Sequence, residues 1–438
     1  MEDTTGKEAG NNSKEEGEVN RRVRAAAEEN EAMFLSRDEE RVLNGAEGEV
    51  LARAMKLLVT LGDLGGAEKL VSIGRAQVAG VSYKTSGDAT LELLESLVER
   101  LPGFTTKVVA TQNPAGMDLV RWTEMGISRS FAEKQLRICH AYEALGVKAC
   151  CTCTPYLSGN CPRPGEVVGF SESSAVAYVN SVLGGKTNRH GGLDALSAAL
   201  VGKVPAMGFL LDANRKGDLR VRVTFMPRHE ADYAALGYYV GKRVKTEEVP
   251  VYDGIHDISL SQLKLMGAAS AASGAVALYH VVDVTPEARR WQTIYKEGRP
   301  ADTLEVGERE IQSVYQELSS TGDVDLVAVG CPHCSIEEMG EVARLLQGRK
   351  VRGGTRFWVF TSPHVYDAAE RQGYNRVIRR AGADVFTHTC MVVMPIEEMG
   401  IRGVAVNSAK AAFYIPRTTG NQCQVLFTPL KEMKTFLQ

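Results

Sequence analysis

The chain has 438 residues, 24% of them charged and 44% apolar, with a formal net charge of −3. Such a length is too great for one ordinary core and calls for two or three domains. No apolar run approaches the roughly 20 residues that span a bilayer, which argues against a membrane protein. The slightly acidic balance argues against nucleic acid, which requires a basic patch or stripe.

The opening MEDTTGKEAGNNSKEEGEVN has no apolar stretch of the secretory kind, which points to a cytoplasmic protein in a reducing compartment. Structural disulfides are disfavoured there. The nine cysteines, an odd number, then read as buried small hydrophobes plus a few metal ligands. Residues 1–34 are too polar to offset the cost of ordering and read as a disordered tail. Folded structure is expected from Ser36, which with Glu39 forms a capping-box pattern ahead of apolar positions at helical spacing up to Gly62.

The segment VAGVSY reads as a strand that delivers Ser82, Tyr83 and Lys84 into a loop, followed by a helix over 88–100 and a strand over 106–110. Gln112 and Asn113 then sit just beyond a strand end, where ligands bind in α/β sheets, or Asn113-Pro114 simply makes a turn. After a helix over 130–145 comes a stretch, 150–192, that concentrates four cysteines and polar loops between short apolar runs, and reads as one wall of an active site. Within it Ser171 is the expected N-cap of a helix that Gly184-Gly185 ends. Its first-turn residues Glu172, Ser173 and Ser174 stand near free backbone N–H groups that suit a carboxylate or phosphate. The loop Thr187-Asn188-Arg189-His190 precedes another helix. Strands are expected over 206–211 and 219–226, helices over 229–241 and 260–272, and a strand over 276–282 that closes a unit of residues 35–282.

A last domain is expected over 283–438. Its pattern alternates a helix near 305–319, the strand DLVAVG, the loop CPHCS, a helix over 336–346, the strand RFWVFTSP, a helix over 365–381, the strand ADVF, the loop THTC and the strand GVAVNSAKAA. Strands that each lead into a polar loop describe a parallel, helix-flanked sheet with one functional edge. Three loops carry a cysteine just beyond a strand: Cys153, Cys331 and Cys390. Three thiolates suit an iron–sulfur cluster with one iron left open, since a fourth would close it. An open iron can act as a Lewis acid on a substrate hydroxyl, and dehydration is its natural chemistry. Two other readings stand beside this one. Cys331 and Cys334 form an isolated CxxC, which could be half of a zinc site or a redox pair, but no partner motif appears. All nine thiols could also be simply buried, as Cys139 and Cys423 are expected to be.

The segments TCTPYL (152–157), ESSAVAYVNSVLG (172–184), KTNRHGG (186–192), GCPHCS (330–335), TCMVV (389–393) and NSAKAAFYIP (407–416) closely resemble the aconitase X family, in one order from about Leu35 to the C-terminus. The resemblance implies an aconitase-like fold of several packed α/β/α domains with parallel-rich sheets. It also implies a hydro-lyase of small hydroxy acids, with Cys153, Cys331 and Cys390 as ligands of an iron–sulfur cluster, [4Fe–4S] with one open iron. More distant aconitases use one remote cysteine plus a CxxC, which would recruit Cys334. Where the family usually has an aspartate before the last Thr-Cys, this chain has His388, a change that bears on hydrogen bonding around the cluster.

Aconitase-type enzymes carry a swivelling domain whose serine abstracts the proton, and the chain stops at Gln438 without it. The resemblance therefore implies the large subunit of a heteromer completed by a small swivelling-domain subunit. Archaeal two-subunit members convert mevalonate 5-phosphate to trans-anhydromevalonate 5-phosphate, in the mevalonate pathway of isoprenoid biosynthesis. Bacterial members, often fused to the small domain, include cis-3-hydroxy-L-proline dehydratases. The separate-subunit layout points to the former. In this scheme the open iron binds the C3 hydroxyl and the partner's serine removes a C2 proton. Arg189 and Lys410 are the expected anion contacts, and Gln112, Asn113, Glu172, Ser173, Ser174, Asn188 and Ser335 orient substrate or cluster. His190 and His333 either donate a proton to the departing hydroxide or serve as hydrogen-bonded structural residues; Ser82 and Lys84 are weaker candidates. The contrasting class is an iron-responsive or zinc-binding module without catalysis.

Overall fold

The computed structural model describes residues 33–289, 291–320 and 322–438. The expected tail lies outside them except for Met33, which is buried, and Phe34, which bridges to Lys69. Three wholly parallel sheets follow in chain order, as the alternation of apolar runs and helical periods requires. The first orders its strands Val147–Lys148, Val109–Gln112, Arg75–Val78 and Val168–Phe170. The second orders Asp302–Val306, Leu219–Val223, Pro250–Asp253 and His280–Val281. The third orders Asp384–Phe386, Arg356–Thr361, Leu326–Cys334, Gly403–Val406 and Gln424–Phe427. A small antiparallel pair, Leu70–Ser72 with Lys203–Pro205, closes the first unit.

The helical expectations hold with local changes. Ser36 and Glu39 do form a capping box, but the helix it opens stops at Leu43, and Glu49–Leu64 is a separate helix. Ser82, expected in a loop, is the N-cap position of Tyr83–Arg100. The strand expected over 106–110 is Val109–Gln112, so Gln112 closes the strand and only Asn113 lies beyond it. Residues 206–211 hold a short 3-10 turn, Gly208–Leu210, instead of a strand. Asp302–Val306 is an edge strand of the second sheet. Hydrogen bonding therefore carries that unit past 283, where the sequence suggests a new domain, to the helix Glu308–Glu317 that packs on Glu230–Gly241. The run GVAVNSAKAA is a strand only to Val406; Ser408 caps a helix, Ala409–Thr418, by accepting the Ala411 N–H.

The small-residue run in Leu260–Gly274 has a packing reason. A side chain at Gly237 would collide with the Met266 carbonyl, and one at Gly274 with the carbonyl of Gly241, so the helices Glu230–Gly241 and Leu260–Gly274 can approach backbone to backbone. The first and third sheets meet with their carboxyl ends facing. Ala115 N–H donates to His388 O at 2.7 Å, Ser82 Oγ to Val393 O at 2.7 Å, and Lys84 Nζ to Met394 O at 3.1 Å and to Glu397 at 2.8 Å. Ser82 and Lys84 are thus fastenings between units. Among the described residues no helix is long and apolar enough to cross a membrane.

Candidate active site

Between those facing strand ends lies a cavity of about 220 Å³, bordered by Cys153, Cys331, Cys390, Asn113, Glu172, Ser173 and Lys410. Each side chain arrives just beyond a strand of the first or third sheet, except Cys331, which sits in the irregular end of Leu326–Cys334. All three thiols are buried. The neighbouring Cys390 thiol lowers the Cys331 pKa against the opposing effect of burial, with help from the Lys410 charge and the Ser408 hydroxyl. Cys390 is pushed well up by Cys331 and by burial, and Cys153 is raised to about 12 by burial and by the nearby Glu172 carboxylate.

Glu172 and Lys410 form a buried ion pair at the same wall. Burial alone would raise the Glu172 pKa, but Lys410 and hydrogen bonds from Asn113 Nδ2 (2.8 Å) and Ser174 Oγ (2.9 Å) outweigh it and hold the carboxyl at about 2. Burial likewise opposes the charge on Lys410, and Glu172 with the cysteine sulfurs nevertheless raises its pKa. Glu172 also replaces Ser171 as the cap of its helix, Ser173–Tyr178, by accepting the Ser174 N–H; the Ser171 hydroxyl donates to Gly191 O instead.

His333 does not border the cavity. Its ring is fully buried, with Nδ1 2.9 Å from Thr152 Oγ1 and Nε2 2.8 Å from Thr389 O. Burial pulls its pKa down to about 4. Both ring nitrogens are engaged by protein groups and away from the cavity, which favours the hydrogen-bonded structural reading of this histidine. Cys334 does not border this cavity; it packs in an apolar layer with Val327, Val329 and Met339, and together with Cys331 it lines a separate small cavity of about 50 Å³.

Other expected residues lie elsewhere. The Gln112 amide donates to Cys139 O and Val147 O, both at 3.1 Å, behind the strand ends. Asn188 holds the turn at 207–209, donating to Met207 O and accepting the Phe209 N–H. Arg189 is exposed and borders a separate cavity of about 550 Å³ with Lys245 and Lys296. His190 Nδ1 is 3.0 Å from Asp194, and its buried Nε2 has no partner among the described residues. Ser335 caps the helix Ile336–Leu346. Three contributors were not foreseen. Gln77 ties the wall together, donating to Asn113 Oδ1 and Thr152 O and accepting the Glu172 N–H. Lys264 donates to His333 O at 2.8 Å and pairs with Glu338. Thr85, Pro114, Val392, Val393, Tyr414 and Thr418 form the rest of the cavity lining. A buried amide in the strand RAQV and a lysine in a small-residue helix are the sequence signals for the first two, since burial of such groups demands partners.

Parallel α/β units whose carboxyl edges converge on three buried thiols and an ion pair define an aconitase-like protein. Family models for the aconitase X first, second and third domains match residues 32–213, 217–316 and 324–433. The chain belongs to the aconitase X family. It is 44% identical to the phosphomevalonate dehydratase large subunit of Methanocaldococcus jannaschii, over 92% of this chain and 99% of that one. It is 49% identical to the protein of that name from Methanothermobacter thermautotrophicus, over 89% and 95%. The cis-3-hydroxy-L-proline dehydratase of Pseudomonas aeruginosa is more distant, 33% identical over 87% of this chain and 66% of that protein. The crystal structure of Thermococcus kodakaraensis aconitase X in its holo-form superposes with a TM-score of 0.84 at 38% identity, covering 92% of this chain and 99% of that one.

Proposed function

We propose that this chain is the large subunit of a phosphomevalonate dehydratase, which removes water from (R)-5-phosphomevalonate to give trans-anhydromevalonate 5-phosphate. The observation that carries the reading is the convergence of Cys153, Cys331, Cys390 and the Glu172–Lys410 pair on one cavity, in a chain that aligns with large subunits of that name over almost their whole length.

The donor set fits an iron–sulfur cluster better than a single ion. Among the described residues no three His, Cys, Asp or Glu side chains converge tightly enough to share one metal. A polynuclear cluster asks for something else: soft thiolates spaced around a cavity, one to each iron. Cys153, Cys331 and Cys390 would hold it, with Lys410 offsetting thiolate charge, and a three-cysteine set leaves one iron of a [4Fe–4S] cluster open. When bound, the cluster supplies a Lewis acid that weakens the C–O bond of the substrate hydroxyl.

The protein's own groups do the rest. Lys410 has three N–H donors; Glu172 and Ser174 take two, and the third is available to a substrate carboxylate oxygen. Glu172, with Lys410, Asn113 and Ser174 on its oxygens, is too weak a base to take the C2 proton. In the elimination the C2–H electron pair becomes the C2=C3 bond as the C3–O pair leaves with the oxygen; that hydroxide takes up a proton to depart as water, and on this reading the C2 proton goes to a base from outside this chain. That supports a small swivelling-domain partner bearing a serine. We place the reaction in the cytoplasm, where nine free cysteines stay reduced.

Anaerobic co-expression with such a partner should yield a brown heteromer with roughly three to four irons per large chain. It should dehydrate mevalonate 5-phosphate and leave cis-3-hydroxy-L-proline untouched. Turnover of the proline alone, or stoichiometric zinc in place of iron, would sink the reading.

A further inference from the structure

We propose that His333 is the positioning residue that locks the three cysteine loops to one another, and so sets how firmly the chain retains its iron–sulfur cluster; this rests on the cluster assignment above. The geometry is unusual in its reach. The His333 backbone N–H donates to Cys153 Sγ at 3.2 Å. Nε2 lies 2.8 Å from the carbonyl of Thr389, the residue before Cys390. A carbonyl only accepts, so Nε2 carries the proton and Nδ1 is the acceptor. Its donor is the hydroxyl of Thr152, the residue before Cys153, at 2.9 Å. His333 itself stands two residues after Cys331. One residue therefore touches the neighbours or the sulfur of all three cysteines.

Each end of this bridge is itself fixed. Thr152 Oγ1 accepts the Thr154 N–H at 3.1 Å and lies 3.1 Å from Thr154 Oγ1; with the Thr154 hydroxyl donating in that pair, the Thr152 proton is left for the ring. Lys264, from the second unit, donates to the His333 carbonyl at 2.8 Å and holds the backbone of the same residue. The ring is fully buried and stays out of the cavity lining, so it acts through the cysteines and not on substrate. Partners of this kind around metal ligands typically cost 10- to 100-fold in affinity when removed.

The test uses the full chain with its small partner, purified anaerobically and reconstituted with iron and sulfide. His333→Leu keeps the bulk and removes both ring bonds. His333→Gln retains a donor placed like Nε2, and His333→Asn an acceptor placed like Nδ1. We expect His333→Leu to load but to lose iron to a chelator about 10-fold or more faster than wild type, with an altered electron paramagnetic resonance spectrum. The Gln and Asn variants should each recover part of the difference. In the metal-free chain, alkylation of Cys153 and Cys390 should accelerate in His333→Leu while Cys334, in its apolar layer, stays protected. Wild-type rates and spectrum in His333→Leu, or in the Gln and Asn variants should the Leu variant not fold, overturn the inference and leave the cluster assignment standing. A wild-type heteromer that takes up no iron and sulfide overturns both.

Discussion

The Lys410 ammonium pairs with the Glu172 carboxylate across 238 residues of sequence, joining the helix that follows a strand of the third sheet to the helix cap that follows a strand of the first. Lys410 is buried and Glu172 largely so, with side-chain exposures of 9% and 12%, and each charge is compensated chiefly by the other. The pair fixes the distance between two walls of the cavity and leaves a cation facing the cysteines.

Breaking that pair from one side leaves an unpaired buried charge. Lys410→Met should destabilise the chain by about 3–5 kcal/mol and reduce turnover at least 100-fold. Adding Glu172→Gln should restore much of the stability, because the stranded carboxylate is gone, but none of the activity. Urea unfolding of the two singles and the double checks this; simple additivity of the stability losses would show that the charges do not sense each other.

The pair also has a pH signature. Glu172 falls from an ordinary 4.5 to about 2 because Lys410, Asn113 and Ser174 outweigh the effect of burial. A depressed carboxyl contributes stability that is fully present above 4.5 and is lost as pH falls through about 2. The stability difference between wild type and Glu172→Gln should therefore be constant near neutrality and shrink progressively below pH 4.5. Lys410, raised in pKa, stays protonated on the alkaline side and adds no slope there below its ordinary 10.5. A difference that does not change with acid would mean that Glu172 is not the ionised partner.

Motifs located the site, and tertiary contact decided its membership. Cys153, Cys331, Cys390, Asn113, Glu172 and Lys410 were visible because each follows an apolar run at a strand end, and parallel sheets gather such ends. Arg189, in a polar loop between two helices, and Gln112, at the last position of a strand, read as contacts in the same way, yet one borders another cavity and the other braces backbone carbonyls. Spacing along a chain does not say which way a side chain faces once two sheets are docked. Gln77 and Lys264 are invisible for the opposite reason: they sit inside elements, and their value comes from partners 36 to 95 residues away. The helix at Ala409–Thr418 was hidden because no Gly or Pro marks the passage from strand period to helix period at Ser408.

The cysteines divide by their surroundings, three on the cavity and Cys334 in an apolar layer of the third sheet. Cys153→Ser, Cys331→Ser and Cys390→Ser should each abolish colour and turnover, since all three border the cavity. Cys334→Ala, in the layer with Val327 and Met339, should cost about 1 kcal/mol of stability and keep the iron content of wild type. Iron analysis of the four proteins separates this set from one built on the CxxC pair, for which Cys334→Ala would come out colourless and Cys390→Ser or Cys153→Ser would keep its iron.

Ser335 offers the converse control, a polar residue beside the cysteine loop that is engaged in a helix cap and does not border the cavity. Its hydroxyl accepts the Glu338 N–H at 3.3 Å, and the Glu338 carboxylate accepts the Ser335 N–H at 2.7 Å, which closes a capping box on the helix Ile336–Leu346. The same carboxylate receives Lys264. Ser335→Ala removes one cap acceptor and should lower stability by about 1 kcal/mol, with kcat/KM for mevalonate 5-phosphate within twofold of wild type. Ser335→Asp, which can still accept the Glu338 N–H, should recover part of that stability despite the added charge near Glu338. A KM that rises tenfold in the Ala variant with no change in the urea midpoint would return Ser335 to the substrate.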